Sequence, residues 1–311
     1  MEAHHDHHHH HHHHYHHHES LQEKDLSSLR GVYLISIVLN LAFVLAEAGM
    51  GLWKGSLGLL SDAGHNLSDV FSLLLALAAF RLAATPGTKK FTYGYRKGSV
   101  LISLANAIIL LIAVGAILIE SIHKFRHPSE IDGSAIAWTA GLGILVNGLT
   151  TVLLMRHRKG DINARGAFLH MAADTLVSVG VVISGIAISL TGWSFIDPAI
   201  GIAIAVIIFV GTWKLLAESL RLSMDAVPEG IDPDEVLRTM EAVPGVREVH
   251  HLHIWPISTR QTALTAHIVV EEGSNSEESV SRIKHSLCEK GIAHSTLEVE
   301  REGQVCPDYG C

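Results

Sequence analysis

Four residues stand out because they can bind a metal ion yet lie inside apolar sequence. His65 and Asp69 lie within SDAGHNLSDV, and His170 and Asp174 lie within GAFLHMAADT. Residues four apart share one face of a helix, so each H-x-x-x-D pair presents a nitrogen and an oxygen ligand together. Two nitrogens and two oxygens suit tetrahedral zinc, whereas calcium and magnesium prefer shells richer in oxygen.

Long apolar segments must position these residues. The chain has 311 residues, of which 48% are hydrophobic and 17% charged. A membrane-spanning helix needs about 20 mostly apolar residues. Segments that fit this length are 29–53, 56–80, 98–122, 134–155, 166–190 and 197–217. We therefore predict an α-helical membrane protein with six transmembrane helices over residues 29–222.

The two pairs are predicted to lie at a similar depth. At about 1.5 Å per residue, His65 and Asp69 are about 14–20 Å from the outer end of the second segment. His170 and Asp174 are about 12–18 Å from the inner end of the fifth. A centred Asp costs at least about 2.5–3.5 kcal/mol, so acids at this depth are usually functional. The alternative is that these residues only hold helices together by hydrogen bonds.

Single polar residues in the apolar segments are interpreted as structural rather than as metal ligands. Asn40, Asn106 and Asn147 are read as hydrogen-bonding partners between helices. Glu47 is either a similar partner or a waypoint for protons or ions. Asp62 lies one to two turns outward of the proposed ligands, as a path residue or a hydrated cap.

Basic residues predict the orientation in the membrane. The 81–97 loop carries five Lys and Arg and the 156–165 loop carries four, whereas the other connections carry at most two. Short loops rich in Lys and Arg stay in the cytosol, so with six spans both termini are cytosolic. The three cysteines then lie on the reducing side, where disulfides are not expected.

The C-terminal part is a separate, acidic, cytosolic domain. Residues 225–311 hold 16 Asp and Glu against 7 Lys and Arg, so nucleic acid is not an expected partner. Its pattern predicts helices at 233–242 and 276–289 and strands at 248–256, 262–271 and 295–300. Alternation along the first strand places His251 and His253 on the face opposite His250.

Five stretches match a known family. They are GSLGLLSDAGHNLSDVFSLLLAL (55–77), FTYGYRK (91–97), NARGAFLHMAADTLVSVGV (163–181), FIDPAIGIAIAVIIF (195–209) and VHHLHIW (249–255). On these motifs the chain resembles the cation diffusion facilitators, in their zinc-transporting branch of the zinc/cadmium/cobalt efflux type. The resemblance implies a homodimer, with six transmembrane helices per subunit and a ferredoxin-like α/β domain for dimerisation and metal sensing over residues 223–302.

The resemblance also assigns residues. It implies a zinc transport site formed by His65, Asp69, His170 and Asp174, with His65 favouring zinc over cadmium. In the cytosolic domain it implies metal ligands at His250 and His267, with His285 or His294, and Glu300, as candidate partners. For His251 and His253 the alternative to metal binding is that they are surface histidines on an exposed sheet. Lys97 and Asp225 match a charged pair near the dimer hinge.

Both ends of the chain carry further potential ligands. Residues 1–28 form a tail, predicted to be disordered and cytosolic, that begins with 13 of the 24 histidines. We interpret it as a native tract that captures zinc, and an expression tag is the alternative. The tail at residues 303–311 offers Cys306 and Cys311, either as metal ligands or as part of an incidental flexible end.

The resemblance implies exchange of cytosolic zinc for protons by alternating access. Exporting a doubly charged ion against an inside-negative potential costs about 4.6 kcal/mol per 100 mV. The sequence has no Gly-Lys dipeptide and therefore no P-loop to use a nucleotide. A proton on His65 or His170 competes with zinc, which provides exchange directly.

We therefore predict a zinc/proton antiporter that exports zinc from the cytosol, with zinc also acting as a regulator. The alternatives are a broader exporter of cadmium, cobalt or nickel, and a membrane metal sensor or buffer that does not transport. An enzyme is not predicted, because four protein ligands leave no open position for water. The 156–165 loop lacks a long His-rich insert, which favours a prokaryotic plasma (inner) membrane.

Overall fold

The N-terminal part of the protein is a bundle of long helices. The computed structural model describes residues 15–54, 57–126, 133–193 and 195–303. Its first helices are α1 (Tyr15–Lys54), α2 (Leu57–Ala84), α3 (Gly98–Arg126), α4 (Gly133–Met155), α5 (Ile162–Thr191) and α6 (Ile196–Ser223). Each predicted membrane segment coincides with one of these helices.

Five of these helices are long and apolar enough to cross a bilayer, namely α1, α2, α3, α5 and α6. In α4 the stretch with described side chains, Gly141–Met155, is apolar but shorter than a crossing. The bundle surface is also apolar, since Ile112, Leu145 and Ile207 are 62–68% exposed. Such a surface suits contact with lipid rather than water.

The first helix is longer than the sequence analysis predicts. Helix α1 begins at Tyr15, whereas residues 1–28 were expected to be a disordered tail. Residues 15–30 contain no Gly or Pro and include several strong helix formers, so an apolar helix that follows can extend backward through them. Residues 1–14 lie outside the described part.

Buried side chains and hydrogen bonds hold the bundle together. Leu29 and Tyr33 of α1 pack with Leu73 of α2, Leu154 of α4 and Met171 of α5, all fully buried. This apolar cluster joins α2 and α5, the two helices that carry the paired His and Asp residues.

Polar contacts between helices supplement this packing. Asn40 Nδ2 donates to Thr150 Oγ1 at 3.1 Å, which joins α1 to α4. The Ser103 and Ser219 hydroxyls are 2.9 Å apart, which joins α3 to α6. These buried contacts fit the interpretation of Asn40 as a residue that holds helices together.

The C-terminal part is a small α/β domain. Its elements are α7 (Pro233–Glu241), β1 (Val246–Pro256), β2 (Thr262–Val270), α8 (Ser276–Glu289) and β3 (His294–Arg301). The strands form a sheet in the order β1-β2-β3, with β1 and β2 antiparallel and β2 and β3 parallel. The two helices pack against the sheet around buried residues such as Met240, Leu264, Ile268, Ile283 and Leu287. This order of helices and strands is the predicted one.

A bulge in β1 changes the expected alternation. His250 pairs with His267, but His253 pairs with Thr265, so β1 has one residue more than β2 between these positions. His251 takes a φ of 50°, the left-handed region, which non-glycine residues enter rarely. Its ring therefore contacts those of His250 and His267. The prediction that His251 lies on the opposite face from His250 is wrong.

Candidate metal centres

Helix α5 holds one of the two predicted ligand pairs in register. Asp161 caps its N-terminus, because its carboxylate accepts hydrogen bonds from the backbone N–H groups of Asn163 and Ala164. The helix then continues to Thr191, and Gly192 ends it with a φ of 73°. His170 and Asp174 therefore share one face of an unbroken helix.

The structure brings the four predicted transport ligands together. His170 Nε2 lies 2.8 Å from Asp69 Oδ1 and 3.8 Å from Asp174 Oδ2. His65 Nε2 lies 3.7 Å from Asp174 Oδ1. Ligand atoms of His65, Asp69 and Asp174 all fall within 4.8 Å of one another, close enough for one ion to contact them.

The burial of this site is uneven. The side chains of Asp69 and His170 are 0% and 5% exposed, and that of Asp174 is 13% exposed. The His65 side chain is 58% exposed. The site is thus enclosed by the chain at Asp69 and His170 and uncovered at His65.

The charges at this site favour a cation. Two carboxylates lie close together where little water can screen them, and such a pair is stabilised by a bound cation or by protons. The two imidazoles bind zinc when neutral and carry protons when charged. The same four side chains can therefore hold either a divalent ion or protons.

A second buried pair lies next to this site. Asn66, one residue after His65, donates from Nδ2 to Glu47 Oε2 of α1 at 2.7 Å. Both side chains belong to buried residues. Asn66 therefore hydrogen-bonds to α1 and joins α2 to it. The side chain of Asp62 lies outside the described part.

The cytosolic sheet carries a second cluster of potential ligands. Glu300 Oε1 lies 2.8 Å from His267 Nδ1, and Glu300 Oε2 lies 3.3 Å from His250 Nε2. These three residues form a group whose ligand atoms lie within 4.8 Å of one another. The ring of His251 lies 5.1 Å from that of His250 and 5.0 Å from that of His267. The donor set of imidazoles and a buried carboxylate fits zinc.

Sequence reasoning missed the place of His251 beside this cluster. Its position within the HHLH motif was the signal for a place near the other histidines. The bulge that turns its side chain toward them depends on a strained backbone, which the motif does not reveal. His253 is exposed, as the alternation predicted.

The other candidate cytosolic ligands lie elsewhere in the single chain. His285 is on the exposed side of α8, with a 70% exposed side chain 3.5 Å from Glu289. His294 begins β3, and its Nε2 lies 3.3 Å from the hydroxyl of Tyr93 in the loop before α3. The structure therefore does not bring His285 or His294 to Glu300. Cys306 and Cys311 lie outside the described residues.

The predicted charged pair makes contact. Lys97 Nζ lies against Asp225 Oδ1 and donates to the carbonyl oxygen of Leu222 at 2.8 Å. Asp225 has a φ of 59°, so the backbone turns sharply where α6 ends. The pair joins the start of α3 to the link between the helical bundle and the cytosolic domain.

Comparison with known proteins places both parts of the chain. The family described as "Cation efflux transmembrane domain" matches residues 33–222. The family described as "Cation efflux protein, cytoplasmic domain" matches residues 228–302. The chain belongs to the cation diffusion facilitator family. The resemblance seen in the sequence is thereby confirmed.

Named members of the cation diffusion facilitator family are similar over most of their length. The "Cadmium, cobalt and zinc/H(+)-K(+) antiporter" of Bacillus subtilis (strain 168) is 35% identical over 276 residues, 87% of this chain and 89% of the relative. "Metal cation efflux system protein CzcD" of Cupriavidus metallidurans is 35% identical over 268 residues, 86% of this chain and 85% of the relative. "Zinc transporter ZitB" of Escherichia coli (strain K12) is 34% identical over 269 residues, 86% of each chain.

A solved structure is also similar in sequence. It is the metal-bound C-terminal domain of the CzcD transporter, 35% identical, covering 22% of this chain and 99% of that domain with a TM-score of 0.22. The named relatives in this family are transporters by their descriptions.

Proposed function

We propose that this protein is a zinc/proton antiporter that exports Zn(II) from the cytosol by alternating access. The observation that carries the proposal is the meeting of the two H-x-x-x-D pairs inside the transmembrane domain, where His170 Nε2 is 2.8 Å from Asp69 Oδ1. Buried ionisable groups in a membrane usually mark an ion pathway. The names of the relatives support transport of zinc in exchange for another ion.

In this mechanism His65, Asp69, His170 and Asp174 bind zinc on the cytosolic side as their imidazoles lose protons. The conformation then changes so that the site opens outward, where protons on the imidazoles displace the ion. Zinc is the substrate at this site. The exposed side chain of His65 is suited to exchange with the surroundings.

The wider architecture is part of the same proposal. We place six transmembrane helices in the plasma (inner) membrane with both termini in the cytosol, since the basic loops 81–97 and 156–165 then face inward. The order and pairing of β1, β2 and β3 support a ferredoxin-like domain. That domain mediates homodimer formation, and His250, His267 and Glu300 hold regulatory zinc.

A broader substrate range is the second candidate. The Bacillus subtilis relative is described as acting on cadmium and cobalt as well as zinc. Cadmium, cobalt or nickel would use the same four ligands, because imidazole and carboxylate also bind these ions. A membrane metal sensor or buffer without transport is the remaining alternative.

The test is metal flux into proteoliposomes that contain the purified full chain. We expect zinc uptake that rises when a pH gradient is imposed and that falls when the gradient is collapsed with a protonophore. Parallel runs with cadmium, cobalt and nickel define the substrate range. Zinc binding without flux under any gradient would overturn the antiporter and favour the sensor or buffer.

A further inference from the structure

The hairpin of the cytosolic sheet reaches the membrane helices. Residues 257–261 join β1 to β2, and within them Arg260 Nε lies 2.9 Å from Asp161 Oδ2. The two side chains are only 15% and 5% exposed. A charge pair this shielded is only weakly screened by salt, and removing either partner would leave a buried charge unpaired.

Asp161 has a second role in the same place. Its other oxygen, Oδ1, accepts hydrogen bonds from Asn163 N at 2.8 Å and Ala164 N at 3.2 Å. One carboxylate therefore closes the first turn of α5 with one oxygen and contacts the hairpin with the other. The side chain of Arg260 is therefore linked through Asp161 to the first turn of α5.

Neighbouring hydrogen bonds support the hairpin in this position. Arg96 Nη1 donates to Gln261 Oε1 at 2.7 Å, and Thr259 N donates to Ser99 Oγ at 3.2 Å. Both contacts tie the hairpin to the start of α3. A cavity of about 360 Å³ lies beside it, lined by Arg260 and Asp161 among others. Polar contacts rather than continuous packing therefore join the domains here.

This contact lies between the two candidate metal centres. From the facing pair His250 and His267, the strands run about 20 Å to the hairpin at about 3.3 Å per residue. From Asp161, α5 runs about 14 Å to His170 at about 1.5 Å per residue. Both elements are hydrogen-bonded and stiff, so a displacement at either metal centre would be passed along its element to the joint at Arg260 and Asp161.

We propose that Arg260 is a positioning residue for transport, which acts through Asp161 to hold α5 to the cytosolic domain. Metal binding at His250, His267 and Glu300 then biases the position of the helix that carries His170. The proposal rests on the proposed function, since it assigns α5 a part in the transport site. The Lys97 contact is a neighbouring link, since Lys97 Nζ donates both to the carbonyl oxygen of Leu222 near the end of α6 and to that of Pro256 at the end of β1.

The test uses hydrogen exchange on the detergent-solubilised full chain with Asp174→Asn, which weakens the transport site and leaves the cytosolic cluster intact. We expect added zinc to slow exchange in β1 and β2 and also, by about threefold or more, at the first residues of α5. In an added Arg260→Gln variant, zinc should slow exchange only in the strands. His250→Ala should remove both responses.

Two further variants separate positioning from general stability. Asp161→Asn keeps a side chain that caps a helix but removes the charge, so its zinc response should match that of Arg260→Gln. It therefore tests the same contact if Arg260→Gln folds poorly. Arg282→Gln removes an exposed ion pair with Glu278, 2.6 Å long, in the same domain. It should leave the zinc response of α5 unchanged.

The outcomes are distinct. An α5 response that persists without Arg260, or that is absent from the Asp174→Asn chain itself, overturns the proposal. In zinc flux by the chain with Asp174 intact, Arg260→Gln should change the KM for zinc more than the maximal rate, with partial recovery in Arg260→Lys. Equal KM values for Arg260→Gln and the unsubstituted chain would also overturn the proposal. Absence of zinc flux in the unmodified chain would instead overturn the antiporter function. The hydrogen-exchange result would still test the role of Arg260.

Discussion

His170 Nε2 contacts Asp69 Oδ1 across the interface of α2 and α5, at 2.8 Å, and both side chains are buried. The second contact has the same form, since His65 Nε2 approaches Asp174 Oδ1 at 3.7 Å. Each histidine thus lies close to the aspartate of the other helix, as well as sharing a helix face with the aspartate of its own. These contacts join the two helices, and a zinc ion at the proposed site would bind to atoms that are already neighbours.

Loss of Asp174 should abolish zinc transport. Asp174→Ala removes a carboxylate that approaches both His65 and His170, so a bound ion would lose a ligand and a negative charge. We expect zinc flux in proteoliposomes at the background of empty vesicles. Glu120→Gln is the control, because Glu120 is 67% exposed and contacts only Lys124 among the partners described for it. Near-normal flux in Asp174→Ala would contradict the site assignment.

The cytosolic cluster should bind zinc independently of transport. In a chain with Asp174→Ala, His250→Ala or His267→Ala should weaken the remaining zinc binding by about tenfold or more, as loss of an imidazole ligand removes a strong donor. Calorimetric titration of the purified protein measures this. His285→Ala is the matched control, and we expect no change if the site lies within one chain. A comparable loss in His285→Ala would mean that the partner subunit supplies this histidine.

The contact between Asn66 and Glu47 should matter for stability. Asn66→Ala leaves a buried carboxylate oxygen without the donor at 2.7 Å, which costs about 1–3 kcal/mol. Thermal unfolding in detergent should therefore show a lower Tm. Leu67→Ala, at a 50% exposed position on the same helix, should have a smaller effect. Equal shifts in the two variants would show that the hydrogen bond is not important.

Removal of the histidine tract should affect zinc capture rather than turnover. Deleting residues 1–18 removes all 13 histidines of the tract, which would otherwise raise the zinc concentration near the cytosolic opening. We expect the KM for zinc to rise more than the maximal rate falls, measured as initial flux over a range of zinc concentrations. An unchanged KM would argue against capture and favour an incidental tag.

Elements with strong local patterns could be predicted from the sequence. The i, i+4 spacing of His170 and Asp174 places them on one face of any helix, and α5 has a good cap at Asp161. The strands β1 and β2 follow from their apolar alternation and the polar turn between them. The role of the four gathered residues as zinc ligands stays a prediction.

Features that depend on distant contacts could not be predicted. Arg260 looks like an ordinary turn residue, and only the folded chain shows its ion pair with Asp161, 99 positions earlier. The position of His251 depends on a strained backbone at φ 50°, which strict alternation cannot foresee. The start of α1 at Tyr15 was hidden by the histidine-rich composition that precedes it.

The uneven burial of the proposed transport site has a consequence for how its selectivity can change. Asp69 and His170 are enclosed, so any substitution there disturbs the packing of the bundle as well as the ligand set. His65 is 58% exposed, so its side chain can be exchanged with little effect on folding. Selectivity for one divalent ion over another is therefore most open to evolution, and to redesign, at His65.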